Sequence, residues 1–207
     1  MTAPEWQTAI EPQAMLEFLQ TCGLVSKRKL RLFAVACSRR IWDWIDVPGR
    51  CAVEVAEKYA DGIAGPEELR AARLACHGAG DQAAWYAAAT NPTIAARNSA
   101  RSAQAGVANN ALIGSEAAEL LAQAALLRDI FGPIPFQPLS VDPSWLTAAV
   151  VELAQAIYDD KSFDRMPILA DALEEAGCGN EEILIHCRKP GPHVRGCWVV
   201  NGVLRKE

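Results

Sequence analysis

Apolar residues recur at steps of three and four along most of this chain, the spacing that places them on one face of an α-helix. The segment 26–45 shows the pattern clearly, with Leu30, Cys37 and Ile41 on the same face. Ser26 stands just before this face, where a hydroxyl group caps the first free backbone amides of a helix. The pattern therefore predicts a long amphipathic helix over 26–45.

The same period, interrupted by glycine and proline, predicts further helices. The predicted helices are 12–21, 26–45, 50–62, one that opens at 65–66, two or three within the alanine-rich region 71–125, then 115–132, 143–158, 165–176 and 180–188. Breaks are predicted at 78–80, 91–92 and 109–114. The last segment, 193–205, fits a helix, and a strand through 197–200 is the competing prediction.

These elements predict an all-α fold class, either a single-domain helical bundle or an irregular helical array of about eight to ten helices. One domain is expected to cover 1–207, because 207 residues suit a single domain and 51% of them are hydrophobic, enough for a core. The proline-rich linker 132–142 is a possible sub-boundary.

Acidic residues outnumber basic ones by 25 to 20, which gives a formal net charge of −5. Such a chain is poorly suited to broad binding of phosphate backbones, so nucleic acid is not expected as a partner. The densest positive region is in helix 26–45 and consists of Lys27, Arg28, Lys29, Arg31, Arg39 and Arg40. We expect these side chains to pair with the acidic helices that follow, and nucleic-acid binding through 26–45 is the alternative.

Seven cysteines and the first residues of the chain bear on the cellular compartment. The segment 1–7 carries Glu5 and Trp6 where a secretory signal would have basic residues and then an apolar run. No apolar stretch approaches the roughly 20 residues that cross a bilayer, so no membrane association is expected. We therefore predict a cytoplasmic protein whose cysteines are reduced thiols.

Four residues near the C-terminus could hold a metal: Cys178, His186, His193 and Cys197. Thiolate and imidazole are the ligands that zinc prefers, usually four in a tetrahedron. His193 and Cys197 are four residues apart and would share a helix face. The alternatives are that the cysteines are core residues, or that a cysteine and a histidine form a nucleophilic pair. No cofactor is predicted, and zinc is the metal considered.

Several segments resemble a family of bacterial proteins multiplied in planctomycete-type bacteria, for which no activity is established. They are LLRDIFG at 126–132, ADALEEAGC at 170–178, HCR at 186–188 and GPHVRGCWVV at 191–200. Residues 169–177 also look like part of a short repeat-companion domain from similar bacteria. The resemblance implies a bacterial protein but supplies no catalytic residue or cofactor.

The favoured hypothesis is a non-catalytic helical protein-interaction or accessory module whose partner is another protein. Its basis is abundant core-forming helix without a complete catalytic constellation or a cofactor fingerprint. The rival hypothesis is a zinc-binding or cysteine-dependent enzyme that uses the C-terminal cysteines and histidines.

Overall fold

The fold of the chain is seen in a computed structural model, which describes residues 1–23, 25–77, 82–109, 115–133 and 141–206. Within these ranges the regular structure consists of α-helices and short 3₁₀ turns, without a strand. The α-helices are α1 (Ala3–Thr8), α2 (Pro12–Thr21), α3 (Lys27–Arg40), α4 (Val47–Ala60), α5 (Pro66–Ala75), α6 (Gln82–Ala87), α7 (Pro92–Ala108), α8 (Glu116–Phe131), α9 (Ala148–Asp160), α10 (Met166–Glu175), α11 (Glu181–Arg188) and α12 (Trp198–Leu204). The all-α prediction is confirmed.

Helix α3 is the centre of the larger hydrophobic core. Its residues from Leu30 to Ser38 are all buried, because α4, α6, α7 and α8 surround it. The face of α7 toward the core is built from small residues, including Ala96, Ala100 and Ala103, which are fully buried. Alanine has no side chain beyond Cβ, so α3 and α7 pack closely over much of their length.

A second core lies in the C-terminal third, where α9 packs against α10 and α12, and α10 packs against α11. Tyr158, Leu169 and Val200 are among its buried residues. The segment 193–197 connects this core to the larger one. A Cβ added at its glycine, Gly196, would lie 3.3 Å from both Leu32 of α3 and Ile130 of α8, and both of those residues are buried. The segment is therefore covered from both sides.

Several predicted boundaries differ from the observed ones for local reasons. Helix α4 begins at Val47, because Asp46 caps the amide of Gly49 at 2.8 Å and Pro48 suits the first turn. Helix α3 ends at Arg40, short of the predicted residue 45, and a 3₁₀ turn follows at Trp42–Trp44. Helix α9 begins at Ala148 instead of 143, since Thr147 supplies its N-cap.

The chain ends differ more from the prediction. Helix α1 was not predicted, yet Thr2 and Glu5 form a reciprocal capping box around it. Helix α12 begins at Trp198, so residues 193–197 are not helical as predicted for 193–205. The competing strand through 197–200 is wrong, because residues 198–200 form the first turn of α12.

The arginines of α3 are paired inside the molecule. Arg28 binds Asp61 at 2.9 Å, Arg39 binds Glu57 at 3.0 Å, and Arg40 binds Glu119 at 2.7 Å. Buried Arg31 donates to the carbonyl oxygens of Ala87 and Thr90. These contacts agree with the expectation that the basic side chains of this helix pair with acidic residues of the same chain. Nucleic-acid binding through 26–45 stays an untested alternative.

Some predicted features lie outside the described residues. They are the break at 78–80, most of the break at 109–114 and most of the linker 132–142. Among the helices that the structure describes, none has the length and apolar composition required to cross a bilayer.

Replacing Gly196 by alanine is expected to lower the free energy of unfolding by about 2 to 4 kcal/mol. Its φ of +107° disfavours any side chain, and an added Cβ would lie 3.3 Å from both Ile130 and Leu32. Gly177→Ala is the matched control, since its φ of +93° is similar but no neighbouring atom of the described residues lies within 4 Å of an added Cβ. Its expected loss is about 1 to 2 kcal/mol, which is the backbone strain alone. Urea denaturation measures the free energy of unfolding of both variants. Equal losses in Gly196→Ala and Gly177→Ala would contradict the proposed close packing at Gly196.

Candidate metal centre

Asp129 places a carboxylate at the junction of the two cores. It lies in the last turn of α8, and only 3% of its side chain is exposed. Its Oδ2 accepts a hydrogen bond of 3.0 Å from the backbone amide of Val194. Its Oδ1 lies 2.9 Å from Nδ1 of His193 and 3.2 Å from Nε2 of His186. One oxygen is thus held by the backbone while the other faces two imidazole rings.

His186 reaches this carboxylate from the smaller core. It lies in the last turn of α11, a helix whose start is set by Asn180, which caps the amides of Glu182 and Ile183. The ring of His186 packs against the indole of Trp198, with centroids 4.9 Å apart. Its Nε2 also lies 3.3 Å from Sγ of Cys197. The packing of the ring fixes the direction in which Nε2 points.

His193 and Cys197 come from the segment that precedes α12. This segment turns tightly, because the amide of Cys197 donates to the carbonyl of Val194 at 2.9 Å. Cys197 occupies the N-cap position of α12, and its side chain is fully buried. The nearby backbone amides of Val199 and Val200 act to lower the pKa of the thiol, although the side chain makes no capping hydrogen bond to them. The first turn of α12 therefore directs amide groups at the Cys197 sulfur.

One ligand atom from each of Asp129, His186, His193 and Cys197 lies within 4.8 Å of the others. A tetrahedral zinc ion with bonds of about 2.0 to 2.3 Å separates its ligand atoms by roughly 3.3 to 3.8 Å. The measured separations include 2.9, 3.2 and 3.3 Å, so small movements would produce that geometry. The four donors converge on one point from three parts of the chain.

The cluster also has some of the outer contacts that metal ligands usually have, although the buried Nε2 of His193 makes no hydrogen bond among the described residues. The Val194 amide orients the carboxylate of Asp129, and two backbone amides approach the Cys197 sulfur. The backbone carbonyl of Lys189 interacts with the His193 ring and favours its charged form. These contacts help to orient three of the four side chains, those of Asp129, His193 and Cys197, before any ligand binds.

Burial and charge shift the pKa values within the cluster. Burial acts to raise the pKa of Asp129, but hydrogen bonds and charge from His186 and His193 outweigh it and hold this pKa below its usual value. Burial acts to lower the pKa of His193, but Asp129 outweighs it and raises this pKa. Burial and the charge of Asp129 raise the pKa of Cys197 well above its usual value. In the metal-free state the surroundings thus favour the ionised form of Asp129, the protonated form of His193 and the neutral thiol of Cys197.

The arrangement differs from that of a cysteine–histidine–aspartate triad. In a triad the carboxylate and the nucleophile bond to opposite nitrogens of the imidazole. Here Asp129 and Cys197 both face the same nitrogen, Nε2 of His186. A single nitrogen cannot both accept a proton from the thiol and donate one to the carboxylate, whereas one cation can bind all three atoms. The geometry favours metal coordination over nucleophilic catalysis.

Three of the four candidate residues from the sequence come together here: His186, His193 and Cys197. Cys178 is not part of the cluster; it is buried in the smaller core, where it interacts electrostatically with Cys187. Cys187 adjoins His186 in sequence but is also a core residue, and burial raises its pKa to about 12. The predicted helical face shared by His193 and Cys197 is wrong, because both precede α12.

Asp129 was not identified from the sequence. It stands between apolar pairs, Leu126–Leu127 and Ile130–Phe131, all of them buried. A charged residue on the apolar part of a helix requires a partner, because an unpaired buried charge is strongly unfavourable. This was the available signal, although it does not identify which residues provide the partner.

The ion pair between Asp129 and His193 should make the stability of the metal-free protein depend on pH. Because folding raises the pKa of His193, its protonated form stabilises the folded protein. This contribution is fully present below pH 6.5, about the pKa of an unfolded histidine, and is lost as the pH rises through the pKa of the folded state. The lowered pKa of Asp129 gives stability that is present above about 3.9 and is lost as pH falls through the folded value. We expect greatest stabilisation from the pair between about pH 4 and 6.5. The free energy of unfolding of chelator-treated protein, measured by denaturation at a series of pH values, tests this dependence. Asp129→Asn should abolish the maximum between these pH values.

Alkylation rates test whether Cys197 is an activated nucleophile. Iodoacetamide should modify the exposed Cys22 and Cys51 first in native, metal-free protein. Modification of Cys197 should be at least about 100-fold slower, because the thiol is buried and its pKa is raised. Mass spectrometry of digested samples follows each site. Preferential modification of Cys197 would contradict this assignment and support the enzyme hypothesis.

No protein-family model, no curated protein and no solved structure matches this chain. The resemblance to a planctomycete-type family and to a repeat-companion domain therefore stays a prediction. Support for a function comes from the geometry of the described residues.

Proposed function

We propose that this protein is a zinc-binding helical module in which one Zn²⁺ is coordinated by Asp129, His186, His193 and Cys197. The observation that carries the proposal is the convergence of one donor atom from each residue within 4.8 Å. Hydrogen bonds account for the contacts of Asp129 with the two imidazoles, but they leave the Cys197 sulfur and Asp129 both directed at Nε2 of His186. A shared cation accounts for all four directions.

The charges of the four side chains favour a divalent ion. Asp129 contributes one negative charge, and Cys197 contributes a second when metal binding displaces its proton. Two neutral imidazoles complete the set, so the charges of the ligands balance those of Zn²⁺. A buried site of zero net charge avoids the large desolvation penalty of an isolated ion. The mixture of thiolate and imidazole favours zinc over magnesium or calcium, which prefer oxygen ligands.

The role that we propose for the ion is structural. Four protein ligands fill a tetrahedral site, whereas catalytic zinc usually has three protein ligands and one open position. Asp129 belongs to α8 of the larger core, while His186 and Cys197 pack with the smaller core. The ion would therefore cross-link the two cores. This supports a non-catalytic accessory module, which is proposed to act through another protein.

We also propose a cytoplasmic location. All seven cysteines are free, and Cys197 must remain reduced to bind zinc. A reducing compartment satisfies both conditions, and it would also keep the exposed thiols of Cys22 and Cys51 from forming disulfides.

Protein purified without a histidine tag should contain one zinc per chain, as measured by elemental mass spectrometry. Asp129→Asn and Cys197→Ser should each lower the zinc affinity at least about tenfold. Losing a residue that only hydrogen-bonds to a metal ligand already lowers the affinity by about this much, and losing a ligand should lower it at least as far. Free zinc at 100 times the dissociation constant should stabilise the folded wild-type protein by about 2.7 kcal/mol.

Cys178→Ser is the matched control, because Cys178 is buried in the same C-terminal core but lies outside the cluster. It should retain the zinc affinity of the wild-type protein even where it lowers stability. Equal loss of zinc in Cys178→Ser and Cys197→Ser, or wild-type protein that binds no zinc, would refute the proposed centre.

A further inference from the structure

A small cavity of about 140 Å³ lies beside the proposed zinc site, and His193 forms part of its wall. Leu32, Val35 and Phe163 form part of its apolar wall. Three basic residues, Arg39, Lys161 and Arg195, and one acidic residue, Glu57, line the remaining wall. The cavity therefore combines a cationic end with an apolar interior, although the chain as a whole is acidic.

Three cations around the cavity share a single carboxylate oxygen. Oε2 of Glu57 lies 2.6 Å from Nζ of Lys161, 3.0 Å from Nη2 of Arg39 and 3.7 Å from Nη1 of Arg195. Only 6% of the Glu57 side chain is exposed. One carboxylate cannot neutralise three positive charges, so positive charge is in excess at this wall.

The neighbouring carboxylate does not remove this excess. Asp61 binds Arg28 at 2.9 Å and lies 3.5 Å from Arg195, while it also accepts a hydrogen bond from Tyr158. Four cations therefore lie close together: Arg28, Arg39, Lys161 and Arg195. Within the described residues, their ion pairs involve only Glu57 and Asp61. Four positive and two negative charges leave an excess of two.

Arg39 also has a donor without a partner. Its Nε is buried and makes no hydrogen bond among the described residues, although its Nη2 binds Glu57. A buried donor without an acceptor is unfavourable by about 1 to 3 kcal/mol. An anionic ligand that reached this nitrogen would supply an acceptor, and an anionic ligand anywhere at this wall would supply a compensating charge.

We propose that the cavity binds a small carboxylate with a short aliphatic chain. Guanidinium and ammonium groups bind carboxylates through charge-assisted hydrogen bonds, and the apolar wall would cover the aliphatic part. A water molecule occupies about 30 Å³, so 140 Å³ has room for roughly five groups of that size. Pockets for drug-sized ligands or cofactors are larger, about 300 Å³ or more, so a nucleotide would not fit.

Butyrate is the probe that tests this site, with 1-butanol as its neutral counterpart and inorganic phosphate as an anion without an apolar part. Backbone amide shifts of the full-length, zinc-loaded protein follow each titration by NMR. Butyrate should shift the amides of Val194, Arg195 and Lys161 saturably, while 1-butanol and phosphate should not. The titration is repeated on metal-free protein, so that failure of the zinc proposal and failure of this one are distinguished.

Lys161→Gln should weaken butyrate binding about tenfold, because it removes one charge-assisted hydrogen bond. Arg97→Gln is the control: Arg97 is comparably exposed and paired with Glu17, far from the cavity wall in sequence and absent from its lining. It should bind butyrate as the wild-type protein does. Absence of saturable butyrate shifts, equal binding of 1-butanol, or binding of phosphate alone would each overturn the proposal.

Discussion

The buried carboxylate of Asp129 is the constraint on which the C-terminal third depends. A charge with 3% of its side chain exposed must be paired, because the protein interior cannot replace its hydration. His186 of α11 supplies one partner, and the segment 193–197 lies against α8, where the amide of Val194 and the ring of His193 reach the carboxylate. The position of this segment then determines where α12 starts and where Cys197 points. A single buried charge thus determines the position of a segment without regular secondary structure.

The ion pairs at the junction add to this constraint. Arg195, two residues beyond His193, extends to the carboxylates of Glu57 and Asp61 in the larger core. Its neighbour Gly196 contacts Leu32 and Ile130, where a side chain would not fit. The segment 193–197 is therefore held by both polar and apolar contacts. A zinc ion at Asp129 would strengthen a junction that hydrogen bonds and packing already define, and so would stabilise an existing fold.

How much could be predicted from the sequence varied with the type of feature. The helices α2, α10 and α11 lie close to where the apolar period and the caps predict them, because local spacing and capping determine these elements. The start of α4 was misplaced because Pro48 and Gly49 suggest a break, whereas they fit the first turn of a helix capped by Asp46. The sequence named three residues of the candidate centre, His186, His193 and Cys197, but it also named Cys178, which lies elsewhere, and it did not reveal Asp129.

The sequence by itself determined the all-α class and most helices, since helical periodicity, alanine content and caps act over a few residues. Only the tertiary structure decided which side chains meet, because Asp129 and His193 are separated by 64 residues and become neighbours only when α8 packs against the C-terminal segment. The same holds for Arg39 and Lys161, which share the carboxylate of Glu57 although they come from distant helices. Contacts of this kind follow from the packing of whole helices, and residue spacing along the chain carries no direct record of that packing.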